Sequence, residues 1–461
     1  MQIQCHHLDR WEYMNLDMIE EVLQSRGKCA VLIGGATSSG KSFCAKNLKA
    51  LLESNGYAAT IISTDSYNKG VASIITDKVE KRFFGGKMPF KSAIVRIAFP
   101  IVRDTPFEEK FSPACCARIR QAASALVPEA ILDTYIQGCL SEIRKLNFDE
   151  PDVYDLSHVA HDLKTLLAGG KIARREYSKV ISEPVPSDRQ IDGSQLKVFI
   201  VEGLYVLSDL LIKQLDRSDF VADFVEGSPK SLFLRRIIRD AKVTSSPTHF
   251  TIQMYFSNIV KSYNDTILPS AKNADIVFKN EMSFSELREG DLYITKDKVE
   301  LVNPAFICQL MTASETESVQ YQRDLYLRGS HESPDFNNLL RLREISEDGG
   351  RTYTPASLVH KGAPKTRRDG REIRPINILL REGEFLKAFT DEHDFLRKVQ
   401  QAGFIVDRTV TKVKRRIRYR GYSLTLSAIE REGLFLEFSD PDIPQQVIDQ
   451  IRIEASTQGH K

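Results

Sequence analysis

Gly34-Gly35-Ala36-Thr37-Ser38-Ser39-Gly40-Lys41-Ser42 follows the apolar run Cys29-Ala30-Val31-Leu32-Ile33 and precedes Phe43, Ala45, Leu48, Leu51 and Leu52 at helical spacing. A Gly-x-x-x-x-Gly-Lys-Ser loop between a buried strand and a helix is the context in which this motif holds phosphate. Its glycines let backbone N–H groups turn toward an anion, and the helix N-terminus adds partial positive charge. Gly35, Ala36, Thr37, Ser38, Ser39, Gly40, Lys41 and Ser42 are therefore expected to cradle the phosphates of ATP or a related nucleotide. Lys41 is placed to reach the β- and γ-phosphates, and the Ser42 hydroxyl to ligate Mg²⁺. A Gly/Ser-rich turn with a surface lysine is the bland alternative, and the strand–helix flanks argue against it.

Outward from the loop, Ala58–Ser63, Lys197–Val201 and Ala274–Phe278 read as further strands, with helical stretches such as 42–54 and Lys230–Val243 between strands and another, 15–26, before the first. Strands joined by helical crossovers imply an α/β domain with a parallel sheet covered on both faces. Ligands of such sheets bind at the carboxyl ends of the strands. Asp65, just past the second strand, is placed to take a proton from an attacking hydroxyl or to hold a metal-bound water. Glu202, at the end of Val198–Val201, is placed to hold the hydration shell of Mg²⁺. Arg235, Arg236 and Arg239 lie on the expected helix, where Arg235 and Arg239 share a face. That face is either a clamp for a phosphoryl group or a solvated basic surface.

Residues 77–146 break the pattern with the basic, aromatic Lys81-Arg-Phe-Phe-Gly-Gly-Lys87 and helical stretches at Cys116–Leu126 and Ala130–Leu146, which reads as a mostly helical insertion. Past residue 285 strand-like segments take over, at Val319–Leu327, Leu339–Ile345, Ser357–His360, Ile373–Leu380, Thr409–Tyr419, Tyr422–Ile429 and Leu434–Phe438. Turn clusters such as Glu347–Gly350 and Arg368–Gly370 separate them, and one helix, Glu384–Gln401, interrupts them. Two domains are expected, 1–285 and 300–461, in keeping with a chain of 461 residues.

A net charge of +2 excludes a nucleic-acid-coating protein, and nucleic acid is a weak candidate partner. Seven cysteines without Cys-x-x-Cys spacing support neither a disulfide framework nor a zinc site, so a cytoplasmic, reducing location is expected. Met1–Arg26 lacks the apolar core of a signal peptide, and no apolar run reaches membrane-spanning length. A homo-oligomer is left open.

Taken in order, Gly34–Ser42, Asp65-Ser-Tyr67, Asn147-Phe-Asp-Glu-Pro-Asp-Val-Tyr-Asp155, Val201-Glu-Gly203, Leu234-Arg-Arg-Ile-Ile-Arg-Asp240 and Leu268–Ile276 resemble the blocks of the uridine kinase and phosphoribulokinase family. The resemblance spans about the first 285 residues, with 77–146 outside it. It implies a Mg-ATP-dependent kinase acting on a hydroxyl of a small sugar- or nucleoside-like acceptor. Lys41, Asp65, Arg236 and Arg239 would be catalytic, with Asp65 the general base and the arginines facing the phosphates. Asp65, Tyr67, Asp152 and Tyr154 would form the acceptor side, with Asp152 on the ribose hydroxyls. Ser42 and Glu202 would hold Mg²⁺. The family's second aromatic after the Asp-Ser pair is Asn68 here, its block histidine is Glu150, and its Tyr-Asp-Phe…His-Ser-Arg block has only Glu176-Tyr-Ser-Lys179 in its place. The lid arginines are replaced by Lys242–Pro247. The ATP side is kept and the uridine side rebuilt.

The C-terminal half is similar to CYTH (triphosphate-tunnel) domains, which are antiparallel barrels, through Leu340-Arg-Leu-Arg343, Leu358-Val-His-Lys361, Lys414-Arg-Arg-Ile-Arg-Tyr419 and Gly433-Leu-Phe-Leu-Glu437. The same fusion occurs in plant triphosphate tunnel metalloenzymes. Alternation along a strand puts Lys412, Lys414, Arg416, Arg418 and Arg420 on one face. Five like charges repel unless water or an anion such as triphosphate or polyphosphate neutralises them. A solvated face and RNA contact are the alternatives. The expected second anion site comprises Arg341, Arg343, Lys361, Lys412, Lys414, Arg416, Arg418 and Glu437. The family's opening Glu-x-Glu-x-Lys is not visible, and its later acids correspond to Ser427 and Ser439, so anion binding is expected more than catalysis. A triphosphate or pyrophosphate phosphohydrolase and a non-catalytic nucleotide sensor are the competing readings.

Overall fold

Every residue from Cys29 to Gly35 is buried in the computed structural model. Only a strand covered on both faces accepts such a run. The structure describes all residues except 1, 84–92, 106–108, 126–127, 179–180, 244–246, 282–291, 296–297, 334–338, 364, 367–371, 382, 439–442 and 457–461. The Gly85-Gly86-Lys87 end of the basic loop, the Arg368–Gly370 turn and Ser439 lie outside the described residues.

The N-terminal sheet comprises β1 (Ile3–Cys5), β2 (Cys29–Gly35), β3 (Ala59–Ser63), β4 (Val198–Glu202), β5 (Phe220–Glu226) and β6 (Ile276–Lys279). Its order is β1-β6-β5-β2-β4-β3, and every pairing is parallel. This is the parallel α/β sheet expected of the P-loop reading. β5 was missed in the sequence because Asp223 interrupts an otherwise apolar run. On one face lie α1 (Leu8–Arg26) and α2 (Lys41–Ser54), whose Trp11, Ile19, Leu48 and Leu52 pack with Val31, Ile200 and Phe278. α1 begins seven residues before the expected helix and stops where Gly27 turns left-handed (φ 77°), its N–H donating to Leu23 O.

The insertion is helical, as expected, but starts at Val71. It comprises α3 (Val71–Phe83), α4 (Ala93–Asp104), α5 (Pro113–Ala123) and α6 (Glu129–Arg144). Its Ile75, Ile94, Ile119 and Leu132 share one apolar cluster with Leu32 and Phe199 of the sheet. It therefore belongs to the core of this unit. α7 (Leu156–Leu167) packs in the same cluster.

The C-terminal unit is built on a ten-stranded antiparallel sheet. Its strands are β7 (Leu292–Thr295), β8 (Lys298–Glu300), β9 (Glu315–Gly329), β10 (Leu339–Ser346), β11 (Thr354–Lys361), β12 (Glu372–Leu380), β13 (Phe404–Tyr419), β14 (Tyr422–Ile429) and β15 (Gly433–Glu437). They run in the order β7-β12-β11-β10-β9-β13-β14-β15-β8, and the two-residue strand Lys365–Thr366 pairs beside β12. The two end strands are consecutive in the chain. Three Cα steps, at most about 11 Å, separate Thr295 from Lys298. The sheet must therefore curl until its edges approach. No β7–β8 pairing closes it among the described residues. The single helix expected over Glu384–Gln401 is two, Phe385–Ala388 and Glu392–Gln401, because Asp391 is extended and its carboxylate accepts from Asp394 N at 2.7 Å. The helices Pro304–Ala313 and Gln445–Ser456 were not read from the sequence.

The division between the units is not a single cut. Residues Ser228–Ile237 and Thr248–Phe256 group with Met282–Lys461. No helix among the described residues is long and apolar enough to cross a membrane.

Asp223 is fully buried on β5, between the apolar register partners Ile33 and Ile276. Neither of its carboxylate oxygens has a hydrogen-bond partner among the described residues, and the same holds for Trp11 Nε1 and Asn15 Oδ1. Burial pushes its carboxyl well above the ordinary range. The Asn15 side chain partly offsets this, and Asp275 reinforces it. A raised native pKa means that the native state holds the proton more tightly, so stability falls as pH rises above about 4, where the unfolded Asp ionises. Asp223→Asn should abolish this slope. The variant's advantage in urea unfolding should grow by about 1.4 kcal/mol per pH unit until native Asp223 itself ionises. A pH-independent difference would show that Asp223 is charged in the fold.

Candidate functional site at the carboxyl ends of β2, β4 and β3

Parallel register sets Glu202 opposite both Ile33 of β2 and Ser63 of β3. The loop after β2, the last residue of β4 and the turn after β3 therefore meet. Glu202 is buried there. Gly35 (φ 140°) and Gly40 (φ 99°) hold the loop in conformations that side chains avoid. A methyl group on Gly35 would overlap the Val225 carbonyl, and one on Gly40 the Asn280 amide. Asn280, just past β6, donates from Nδ2 to Ser39 O at 2.8 Å. This brace was not read from the sequence, because 240 residues separate it from the motif.

The Ser38 and Ser39 hydroxyls are buried without a hydrogen-bond partner among the described residues. Such orphaned groups, in a loop with no room for side chains, fit a phosphate chain. Ser42 is exposed in the first turn of α2. Lys41 is buried, and its Nζ donates to Gly35 O at 3.0 Å and Ala36 O at 2.6 Å. Burial pushes its pKa down, Glu202, Asp65 and Asp149 pull it back up, and Arg239 adds to the lowering. Arg239 Nη1 donates to Thr37 Oγ1 at 3.3 Å, and its Nε to Asp240 Oδ1 at 3.1 Å. Arg235 and Arg236 lie on the same helix, Pro229–Val243, in the stretch that groups with the C-terminal unit.

On the acceptor side the family resemblance points to Asp152. The structure leaves Asp152 exposed and buries Asp149, whose charge acts on Lys41, Tyr154 and Tyr205. The Asn147 side chain accepts from Asp149 N at 3.0 Å, a local turn that aims Asp149 inward. An Asn two residues before an Asp was the signal available. Tyr67 donates to Asp162 Oδ2 at 2.9 Å, and Tyr154 to Phe148 O at 3.0 Å. Both phenols thus brace the walls. A cleft of about 310 Å³ adjoins Tyr67, lined also by Ser66, Lys69, Arg174, Arg175 and Glu176. The insertion reaches this side twice. Lys78 of α3 pairs with Glu150 at 3.4 Å, and Glu183 Oε1 accepts from Ala72 N at 2.7 Å.

In the C-terminal unit the expected row of five like charges is largely compensated from within the chain. Lys412 pairs with Asp324, Lys414 with Glu437 at 2.6 Å, Arg418 with Glu317 at 3.3 Å and Arg420 with Glu454 at 3.2 Å. Arg416 is exposed, and Arg420 falls in the turn after β13 (φ 52°). Asp324, which was not singled out in the sequence, is the hub. It accepts from Arg341 Nη1 at 3.0 Å, Arg343 Nε at 2.9 Å, Arg343 Nη2 at 3.1 Å and Lys412 Nζ. Burial alone would raise its carboxyl, but Arg343, Arg341 and Lys412 outweigh burial and hold it below the usual range. Burial, together with Arg341, Arg343 and Lys412, pushes Lys361 down to about 6.

A Gly-rich loop and helix N-terminus on a parallel sheet, with a lysine, an arginine and strand-end carboxylates converging on it, define a P-loop kinase site. Residues 140–284 match the model of the Phosphoribulokinase / Uridine kinase family. A chloroplastic uridine/cytidine kinase of Arabidopsis thaliana is 26% identical over 172 residues, covering 36% of this chain and 33% of that protein. A uridine kinase of Streptococcus equi subsp. zooepidemicus is 31% identical over 139 residues, covering 30% and 64%. The solved structure of the YFH7 protein of Saccharomyces cerevisiae aligns with 60% of this chain and 99% of its own at 11% identity, with a TM-score of 0.33. The chain thus spans about a third of the plant relative and just under two thirds of the bacterial one. The N-terminal unit is similar, over part of its length, to P-loop kinases of the phosphoribulokinase/uridine kinase family.

Gly35→Ala should weaken Mg-ATP binding at least tenfold in calorimetric titration, about 1.4 kcal/mol. Gly27→Ala, at φ 77° with open space around it, should leave that affinity within about twofold while costing about 1 kcal/mol of stability.

Proposed function

We propose that the N-terminal unit transfers the γ-phosphate of Mg-ATP to a hydroxyl of a small nucleoside- or sugar-like acceptor. The observation that carries this reading is the convergence of Lys41, Glu202, Asp65, Asp149 and Arg239 at three adjacent strand ends. Backbone N–H groups from Gly35 to Ser42 and the Lys41 ammonium would hold the phosphates. Ser42 and Glu202 suit Mg²⁺, which keeps several waters and needs only one or two protein ligands, and which supplies charge neutralisation at the phosphates. Arg239 stabilises the transferring group from the side of Thr37, and the resemblance assigns Arg236 to the same task. Asp65 takes the proton of the attacking hydroxyl. Asp149 orients the acceptor's hydroxyls, in place of Asp152. Tyr67 and Tyr154 shape the pocket. Glu150, paired with Lys78, and the short Glu176–Lys179 segment argue against uridine as the acceptor.

The C-terminal unit is read as a CYTH-like anion-binding domain for triphosphate or polyphosphate. The curled antiparallel sheet and the cations around Asp324 support this. A cytoplasmic protein with ATP and a small hydroxylated substrate as its partners is the accompanying reading.

A product-identified screen with Mg-ATP against nucleosides, pentoses, water and polyphosphate tests the proposal. Lys41→Ala should abolish transfer, and Asp65→Asn should slow it by about 10²-fold or more. Asp149→Asn should impair acceptor use far more than Asp152→Asn. Full turnover by Asp65→Asn would remove it as the base. Phosphate release without an acceptor would replace the kinase with a phosphohydrolase.

A further inference from the structure

On the inward face of the C-terminal sheet, the basic side chains Arg341, Arg343, Lys361, Lys412 and Lys414 cluster with the carboxylates Asp324 and Glu437 among the described residues. Arg341 and Lys412 are 4% and 9% exposed, so this excess of cations is held away from water. Burying unmatched charge is costly unless a counter-ion arrives. Arg341 also has an unused donor, since its Nε–H is buried with no hydrogen-bond partner among the described residues. A buried guanidinium with a vacant N–H, set among further cations, awaits an acceptor-rich ligand from outside the chain.

The donor set also says what kind of ligand. A divalent cation at such a site needs carboxylate oxygens with free lone pairs. Asp324 Oδ1 is taken by Arg343, and Oδ2 by Arg341, Arg343 and Lys412. Glu437 Oε1 accepts from Ser427 Oγ at 2.7 Å, and Oε2 from Lys414 Nζ at 2.6 Å. The two alternate positions immediately before Asp324 on β9 are the amides Gln320 and Gln322, bonded to each other. Among the described residues no group of three or more His, Cys, Asp or Glu is placed to hold a metal ion. A metal would have to displace an ammonium or guanidinium from each acid and then remain beside it.

We infer that this tract binds an oligophosphate as the metal-free anion, with Asp324 acting as a built-in counter-anion that partly occupies the site. The inference rests on the anion-site reading above and adds that Mg²⁺ opposes binding, because Mg²⁺ chelates the same phosphate oxygens that the arginines and lysines seek. Asp324 neutralises one charge of the cluster, holds Arg341, Arg343 and Lys412 in place, and gives up part of their donor capacity when the ligand enters. Burial and the neighbouring Arg341, Arg343 and Lys412 push the Lys361 pKa down, Asp324 offsets them in part, and a bound anion favours the charged ammonium.

The test is calorimetric titration of inorganic tripolyphosphate into the full-length Lys41→Ala variant, which weakens the P-loop as a competing phosphate site. One arm contains EDTA and the other Mg²⁺ in excess over ligand. Binding with EDTA that weakens about tenfold or more with Mg²⁺ is expected. On the same background, Lys361→Met removes a basic side chain without stripping Asp324 of a partner, and should weaken binding about tenfold in EDTA. Asp324→Asn should strengthen it severalfold, with circular dichroism confirming the fold. Affinity equal or higher with Mg²⁺ overturns the metal-free inference and leaves the anion site standing. Absence of binding in both arms overturns the anion-site reading and the inference with it. Weaker binding by a folded Asp324→Asn variant shows that Asp324 orders the site and does not compete for it.

Discussion

The hydrogen-bond register that sets Glu202 of β4 between Ile33 of β2 and Ser63 of β3 is the constraint on which the N-terminal unit turns. Parallel strands end on the same side of the sheet, and their register decides which ends are level. Because these three are level, the Gly-rich loop, the buried Glu202 and Asp65 are presented to one volume. Lys41 then feels Glu202, Asp65 and Asp149 together. Shifting β4 by one residue would turn Glu202 to the other face and dissolve the constellation.

Around this fixed centre, the donor and acceptor sides are built differently. The donor side is backbone geometry, with glycines at positive φ, a carbonyl and an amide pressed against them, and helix α2 starting at Lys41. The acceptor side is made of side chains from several segments, and the inserted helices enter it through Lys78 and Ala72. These helices share the core with the sheet and also touch the segments that carry Glu150 and Glu183.

The C-terminal unit depends on charge compensation. A single buried carboxylate, Asp324, gathers two arginines and a lysine from β10 and β13. This arrangement replaces a free row of positive charge with a structured one. What reached the surface as a basic strand in the sequence is, in the fold, a set of pairs around a hub with a cationic remainder.

The P-loop, the order of the strands along the chain, the helical nature of the insertion and the strand-rich second half were all legible in the sequence, because each is a local pattern of spacing and apolar run. β5 was not, since a buried Asp223 mimics a break in an apolar strand, and neither was the split at Asp391, where one extended residue outweighs a helical pattern. Asp149 and Asp152 carry the same chemistry three residues apart, and only the turn made by Asn147 buries the first and exposes the second. Asn280 and Asp324 gained their roles from partners 241 and 17 to 88 residues away. By itself, then, the sequence determined that this chain holds phosphate on a P-loop and which residue types surround it. Tertiary structure decided which acids face Lys41 and which cations lose their solvent, because burial and register are properties of segments that meet only after the chain has folded.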